Sequence, residues 1–213
     1  MANKKCFIIG DDHVFVRMGL KQTILNAMDA EVLEAQNGKE VIKLLQNHNP
    51  DLLILDISMP GKDGLDILKD VKAINAKVPV LMLSAYSEEQ YALRAFRSGA
   101  YGYLTKDKSP SEIINAIQVI LRGEKYLSPS LAHLLVKEIT GKKEKELHSE
   151  LSDKEYSVFI QIGSGKTVSE IAEEQMLSVK TISTYRTRIL QKMGFKNNAE
   201  IMQYVVSKKL TER

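Results

Sequence analysis

The chain has 213 residues, 44% hydrophobic and 27% charged, with a formal net charge of +3, an ordinary composition for one or two globular domains with sizeable cores. No segment approaches the ~18 uninterrupted apolar residues of a spanning helix. The start, Met1-Ala2-Asn3-Lys4-Lys5, also lacks the apolar stretch and cleavage site of a secretory signal, so a cytoplasmic protein without a membrane partner is expected. The single cysteine, Cys6, excludes an internal disulfide and reads as a buried structural thiol in a reducing compartment.

In chain order, Lys5-Cys6-Phe7-Ile8-Ile9-Gly10 reads as a strand ending on Asp11-Asp12. The segment Val14 to Met28 carries Phe15, Met18, Leu20, Ile24 and Leu25 at helical spacing. Glu31 to Ala35 alternates as a short strand, Gly38 to Asn47 is an amphipathic helix, and Asn49-Pro50 breaks it. Leu52-Leu53-Ile54-Leu55 is then an unbroken apolar run that stops on Asp56, followed by Ile57-Ser58-Met59-Pro60-Gly61. Such a run bounded by turn formers is a strand buried on both faces, as in a parallel sheet.

Taken alone, Asp56 would only start the next turn. With Asp11 and Asp12, it makes three carboxylates released at one end of a sheet. That arrangement raises carboxyl pKa values unless a cation is present, and the cation that suits it is magnesium, a hard ion taking oxygen ligands.

Leu65 to Ile74 is amphipathic, Val78 to Leu83 is a buried strand ending on Ser84, and Glu88 to Ser98 is a helix stopped by Gly99. Ala100 to Leu104 is a fifth strand ending near Lys106, and Ser109-Pro110-Ser111-Glu112 starts a helix running to about Arg122. Five strand–helix alternations indicate an α/β fold with a doubly wound parallel sheet of order 2-1-3-4-5. In that order the first and third strands are neighbours, so Asp11, Asp12 and Asp56 converge, with Ser84 and Lys106 arriving from the fourth and fifth strands.

In these residues, from about 4 to 122, the chain resembles CheY-like receiver domains of two-component response regulators. The resemblance lies in Asp11-Asp12, Asp56 before Met59-Pro60, Ser84-Ala85, and Gly102-Tyr103-Leu104 followed by Lys106. It implies that Asp56 accepts a phosphoryl group from a sensor histidine kinase. Magnesium would be held by Asp12, the Asp56 side chain and the Ser58 backbone carbonyl, with Asp11 assisting through water. Lys106 would supply positive charge, and Ser84 and Tyr103 would form the switch. Phosphoryl transfer needs mainly positioning and charge neutralisation, which this set can supply. Lys62 departs from the apolar residue often seen at its position in the family.

Residues 123–150 read as a linker containing a helix that starts at Leu127-Ser128-Pro129-Ser130 and ending in a charged tether, Gly141 to Glu146. Residues 151–213 read as a small all-α domain. Ser152/Glu155 and Thr167/Glu170 are capping boxes, Ser178 caps a helix to about Met193, Gly194 stops it, and a last helix follows Asn197. This region has ten Lys/Arg against seven Asp/Glu, while residues 1–150 are balanced at twenty each; between Ser178 and Lys196 lie five basic residues and no acid. A short helix, a tight turn and a basic helix fit a helix-turn-helix. Val179, Ile182, Ile189 and Met193 are expected to face inward.

Leu151 to Leu210 resembles the LuxR-type helix-turn-helix of NarL/FixJ response regulators through Leu151-Ser152 with Glu155, Glu170-Ile171-Ala172, Leu177 to Ile182, Tyr185-Arg186, Ile189 and Lys192-Met193-Gly194. Tyr185 stands where family members often have histidine. The resemblance implies DNA-backbone contacts from Lys180, Thr181, Tyr185, Arg186 and Lys192, with Arg188 on the same outward stripe. Ser183, Thr184 and Thr187 point toward bases, short hydroxyl side chains that imply modest selectivity.

The expected protein is a DNA-binding transcription regulator, not an enzyme. Its dimer forms through the last helix, Asn198 to Lys208, the receiver, or both, and RNA polymerase is a further candidate partner. An aspartyl-phosphate phosphotransferase or phosphatase fits less well, because the second acid usual two residues beyond the nucleophile is Ser58 here. A third reading is DNA binding independent of phosphate, with the receiver as a dimerisation module; the complete acidic set argues against it.

Overall fold

The computed structural model describes residues 4–139, 147–208 and 210. They fall into two compact units, Met1–Leu135 and Val136–Arg213. Residues 141–146, expected to form the tether, lie outside the described residues.

The first unit alternates β1 (Lys5–Gly10), α1 (Val14–Ala27), β2 (Ala30–Ala35), α2 (Gly38–Asn47), β3 (Leu52–Leu55), α3 (Gly64–Ile74), β4 (Val80–Ser84), α4 (Glu88–Arg97), β5 (Gly102–Thr105) and α5 (Pro110–Leu121). The strands form one parallel sheet of order β2-β1-β3-β4-β5. All four residues of β3 are buried. With helices on both faces of the sheet, alternate side chains of a central strand find apolar neighbours either way. Each such Leu or Ile contributes roughly 1.5–3 kcal/mol by burial. The register pairs Gly10 with Leu55 and Leu55 with Met82, which aligns the ends of β1, β3 and β4.

Two expectations are corrected here, on Cys6 and on the starts of two strands. Helix α1 forms where the spacing predicts; of its apolar residues only Leu20 and Ile24 are buried, whereas Phe15 is 83% exposed and Met18 and Leu25 also face solvent. The inward stripe is Arg17, Leu20 and Ile24, and Arg17 is buried because its Nη1 donates to the Asp11 carbonyl at 2.7 Å. Cys6 is half-buried, since the first two residues of β1 lie at the rim of the sheet. Two strands also start later than expected, β4 after Pro79 and β5 at Gly102, and a proline cannot donate to the ladder.

The first unit continues past α5 to Leu135. Tyr126 N–H donates to the Tyr101 carbonyl at 2.8 Å, and Leu131, near the start of α6 (Pro129–Ile139), is fully buried.

The second unit holds a 3₁₀ turn at Leu147–Glu150, a stretch read from sequence only as linker, then α7 (Asp153–Gly163), α8 (Val168–Glu174), α9 (Val179–Met193) and α10 (Asn198–Ser207). Both expected capping boxes form, on Ser152 and on Thr167. Gly194 ends α9 in the left-handed region at φ 70°, where glycine carries no Cβ penalty. Tyr156, Phe159, Ile171, Ile182, Ile189, Ile201 and Val205 are buried in its core. Val179 is 51% exposed, contrary to expectation. It is the first residue of α9, at the open end of the helix, while the inward stripe begins at Ile182.

Candidate functional site

Asp11 and Asp56 are both buried, and Lys106 joins them, its Nζ 2.8 Å from Asp11 Oδ2 and 2.8 Å from Asp56 Oδ2. The sheet brings them together. Asp56 N–H donates to the Gly10 carbonyl at 2.8 Å, and Lys106 N–H donates to the Ser84 carbonyl at 2.8 Å. Gly64 closes the site from behind, because a Cβ there would stand 2.2 Å from the Asp56 carbonyl oxygen. That loop can pass so close to the end of β3 only with glycine at this position.

Burial pushes the Asp56 carboxyl above its ordinary range, against the opposing charge and hydrogen bond of Lys106, and Asp11 adds to the rise. Burial alone would lower Lys106, but Asp56 and Asp11 overcome it and hold the ammonium above its usual value. A proton is therefore hard to remove from this lysine.

The oxygens not taken by Lys106 decide what else the site can hold. Asp56 Oδ1 is buried without a hydrogen-bond partner, and Asp12 Oδ1 is buried with only the His13 ring against it. Ligand atoms of Asp11, Asp12, His13 and Asp56 all lie within 4.8 Å of one another. Buried, unsatisfied carboxylate oxygens are costly unless something positive answers them. This donor set fits a hard divalent cation. His13, which sequence reading passed over, stands 2.8 Å from Asp12 Oδ1 through Nδ1, and its backbone N–H donates to Asp11 Oδ1 at 2.8 Å.

Ser84 and Tyr103 are both fully buried beside the acids. Ser84 Oγ accepts from Tyr86 N–H at 3.2 Å, and Tyr103 donates its hydroxyl to the Tyr86 carbonyl at 2.7 Å. Burial raises the Tyr103 phenol far above its ordinary value, so it remains a donor. Lys62 pairs with Asp70 on α3, which gives its charge a partner on the surface.

In the second unit, the turn between α8 and α9 contains Met176 at φ 51°. On α9, Lys180, Ser183, Thr184, Thr187, Arg188 and Lys192 are exposed, and Thr181, Tyr185 and Arg186 are half-buried. Thr184 and Thr187 donate their hydroxyls to the carbonyls of Lys180 and Ser183, each at 2.9 Å. Two of the basic residues are already engaged. Arg186 Nε donates to Asn198 Oδ1 at 2.6 Å, and Lys192 Nζ lies 2.6 Å from Oε2 of the buried Glu155. Glu155 was read from sequence only as a cap; a partner 37 residues away leaves no local signal.

Comparison with known proteins gives the same two parts. Residues 7–118 match the response regulator receiver domain, and residues 149–205 match the luxR family of bacterial regulatory proteins. The chain is 32% identical over 213 residues to the oxygen regulatory protein NreC of Staphylococcus carnosus, covering 96% of this chain and 98% of that one. It is 28% identical over 201 residues to the response regulator UvrY of Escherichia coli, covering 93% and 92%. Among solved structures, RcsB of Salmonella enterica serovar Typhimurium, bound to a promoter in the presence of a phosphomimetic, matches with TM-score 0.68 at 26% identity, covering 96% of this chain and all of that one. A receiver sheet and a luxR-type helix-turn-helix thus lie in one polypeptide with near full-length relatives, and the chain belongs to the NarL/FixJ-type two-component response regulators, DNA-binding regulators of transcription.

Proposed function

We propose that Asp56 is the phosphoacceptor and that its phosphorylation by a sensor histidine kinase in the cytoplasm controls dimerisation and DNA binding. The observation that carries this reading is the division of oxygens at the site, where Lys106 holds one oxygen of Asp56 and the other is buried without a partner. Magnesium would be held by Asp12, Asp56 and the Ser58 carbonyl, with Asp11 assisting. When bound, it supplies positive charge against the phosphoryl oxygens. Lys106 neutralises charge on the other side, and the Ser84 hydroxyl, now an acceptor for Tyr86 N–H, turns to donate to a phosphoryl oxygen. Tyr103 reads that change.

On DNA, Ser183, Thr184 and Thr187 face bases, and Lys180, Thr181, Tyr185, Arg186 and Arg188 meet the backbone. Lys192 is the weakest of the backbone candidates, because Glu155 already answers its charge. Two copies related through α10, the receiver, or both would occupy paired half-sites, and RNA polymerase would be engaged from there. The test is phosphoryl uptake from a small donor with magnesium, mapped by mass spectrometry. Wild-type protein takes one group at Asp56, and Asp56→Ala takes none while keeping its fold; uptake of Asp56→Ala at another residue refutes the assignment.

A further inference from the structure

Glu88 opens α4, a place where a glutamate ordinarily stays in water and favours the positive end of the helix. Here it is buried. Its Oε2 accepts from Ser128 Oγ at 2.5 Å and from Ser130 Oγ, while Oε1 is buried with no hydrogen-bond partner. Ser128 Oγ in turn accepts from Leu131 N–H at 3.1 Å, and the Ser128 carbonyl accepts from Ala132 N–H at 2.9 Å. Ser128 thus starts α6, and Glu88 grips that start.

At its other end Glu88 adjoins the switch. Tyr86, two residues earlier, gives its N–H to Ser84 Oγ and takes the Tyr103 hydroxyl on its carbonyl. Its ring stacks on Tyr91 of α4 with centroids 4.8 Å apart. The backbone of one residue therefore holds both Ser84 and Tyr103, and the first residue of the adjoining helix holds the linker.

We propose that Glu88 is the positioning residue that couples the Asp56 site to the start of the linker helix α6. The proposal rests on Asp56 being the phosphoacceptor. When Ser84 turns its hydroxyl to a phosphoryl oxygen, Tyr86 N–H loses its acceptor geometry and the turn into α4 rearranges. Glu88 is then withdrawn from Ser128 and Ser130, and α6 is released at its first turn. The unanswered Oε1 matters to this device. A buried carboxylate with one oxygen unsatisfied carries a desolvation cost, which lowers the stability of the gripped state and so favours release when the site changes. The hydrogen bonds to Oε2 are charge-assisted and hold the gripped state until the site changes.

Hydrogen exchange of the full chain tests this, with and without magnesium and a small phosphoryl donor, read at the Leu131 amide. Intact mass reports phosphoryl uptake separately. In wild-type protein, phosphorylation lowers protection at Leu131 by up to about ten-fold, the scale of a lost hydrogen bond to the neutral Ser128 hydroxyl. In Glu88→Ala, and to a lesser extent in the isosteric Glu88→Gln, uptake persists but the donor-dependent change shrinks or vanishes. Phosphorylated wild-type protein with unchanged protection at Leu131 overturns the proposal, as does a full wild-type response in Glu88→Ala. Absence of uptake in wild-type protein instead overturns the phosphoacceptor reading beneath it, and the mass measurement separates the two.

Discussion

Each unit contains a lysine that ends on a buried carboxylate. Lys106 is 17% exposed and bridges two acids, Asp11 and Asp56, leaving one oxygen of Asp56 unanswered. Lys192 is 39% exposed and meets one acid, Glu155, whose carboxylate also accepts from Ser152 N–H at 2.8 Å as part of a capping box. At the first site the negative charge exceeds the positive, which leaves room for a further cation; at the second, charges and hydrogen bonds balance, and the pair fastens α9 to the start of α7. A lysine–carboxylate pair thus leaves a site open to a further charge or closes it as a fastener, according to what its neighbours leave unsatisfied.

The largest expected effect that separates them is Lys106→Met. Removing the only positive charge described between Asp11 and Asp56 should cost the first unit about 3 kcal/mol in urea unfolding with a chelator present. Excess magnesium should restore most of that loss by replacing the missing charge. The matching Lys192→Met should cost about 1 kcal/mol, because a partly exposed pair is screened and the capping box remains, and magnesium should not restore it. Equal losses with equal indifference to magnesium would remove the distinction.

Acid titration should separate the pairs by sign. The Glu155 carboxyl is held below its ordinary range, because the Lys192 and Ser152 hydrogen bonds outweigh burial. Its stabilisation is therefore present above the unfolded-state carboxyl pKa and is lost as pH falls through the lower folded value. Asp56 is shifted upward by burial. Its ionised form penalises the fold above the raised folded value, and that penalty is relieved as pH falls toward the unfolded-state value. Urea unfolding of the full chain across the acidic range should show Glu155→Gln flattening a loss and Asp56→Asn removing a gain. Slopes of the same sign would contradict these assignments.

The smallest effect concerns DNA. Arg188→Ala should reduce the slope of log affinity against log salt by about one, as for a lost phosphate contact. Lys192→Ala should leave that slope nearly unchanged, since Glu155 already neutralises the residue. A full unit lost at Lys192 would show that it leaves Glu155 for the DNA.

The fold was legible from sequence because its signals are local. Buried strands read as apolar runs, and Ser152, Thr167 and Gly194 mark helix ends through hydrogen bonds within a few residues. The convergence of Asp11, Asp12, Asp56 and Lys106 followed from strand order. What stayed hidden depends on distant partners or on which face of a helix turns inward. Arg17, a charged residue, completes the inward stripe of α1 while the apolar Phe15 and Met18 face solvent, and the spacing Arg17, Leu20, Ile24 was the available signal. Glu88 with Ser128, and Glu155 with Lys192, join residues 40 and 37 positions apart. Nothing in the intervening sequence announces either pair.

The central claim is that chemistry at Asp56 governs DNA binding. Its most direct test is selection of binding sites from a random DNA library at fixed salt, with and without magnesium and a small phosphoryl donor, using wild-type protein and Asp56→Asn. The account predicts a paired-site motif enriched by wild-type protein only with the donor, and no donor-dependent enrichment by Asp56→Asn. Equal enrichment by wild-type protein in both conditions would leave the helix-turn-helix reading standing and contradict control by phosphorylation.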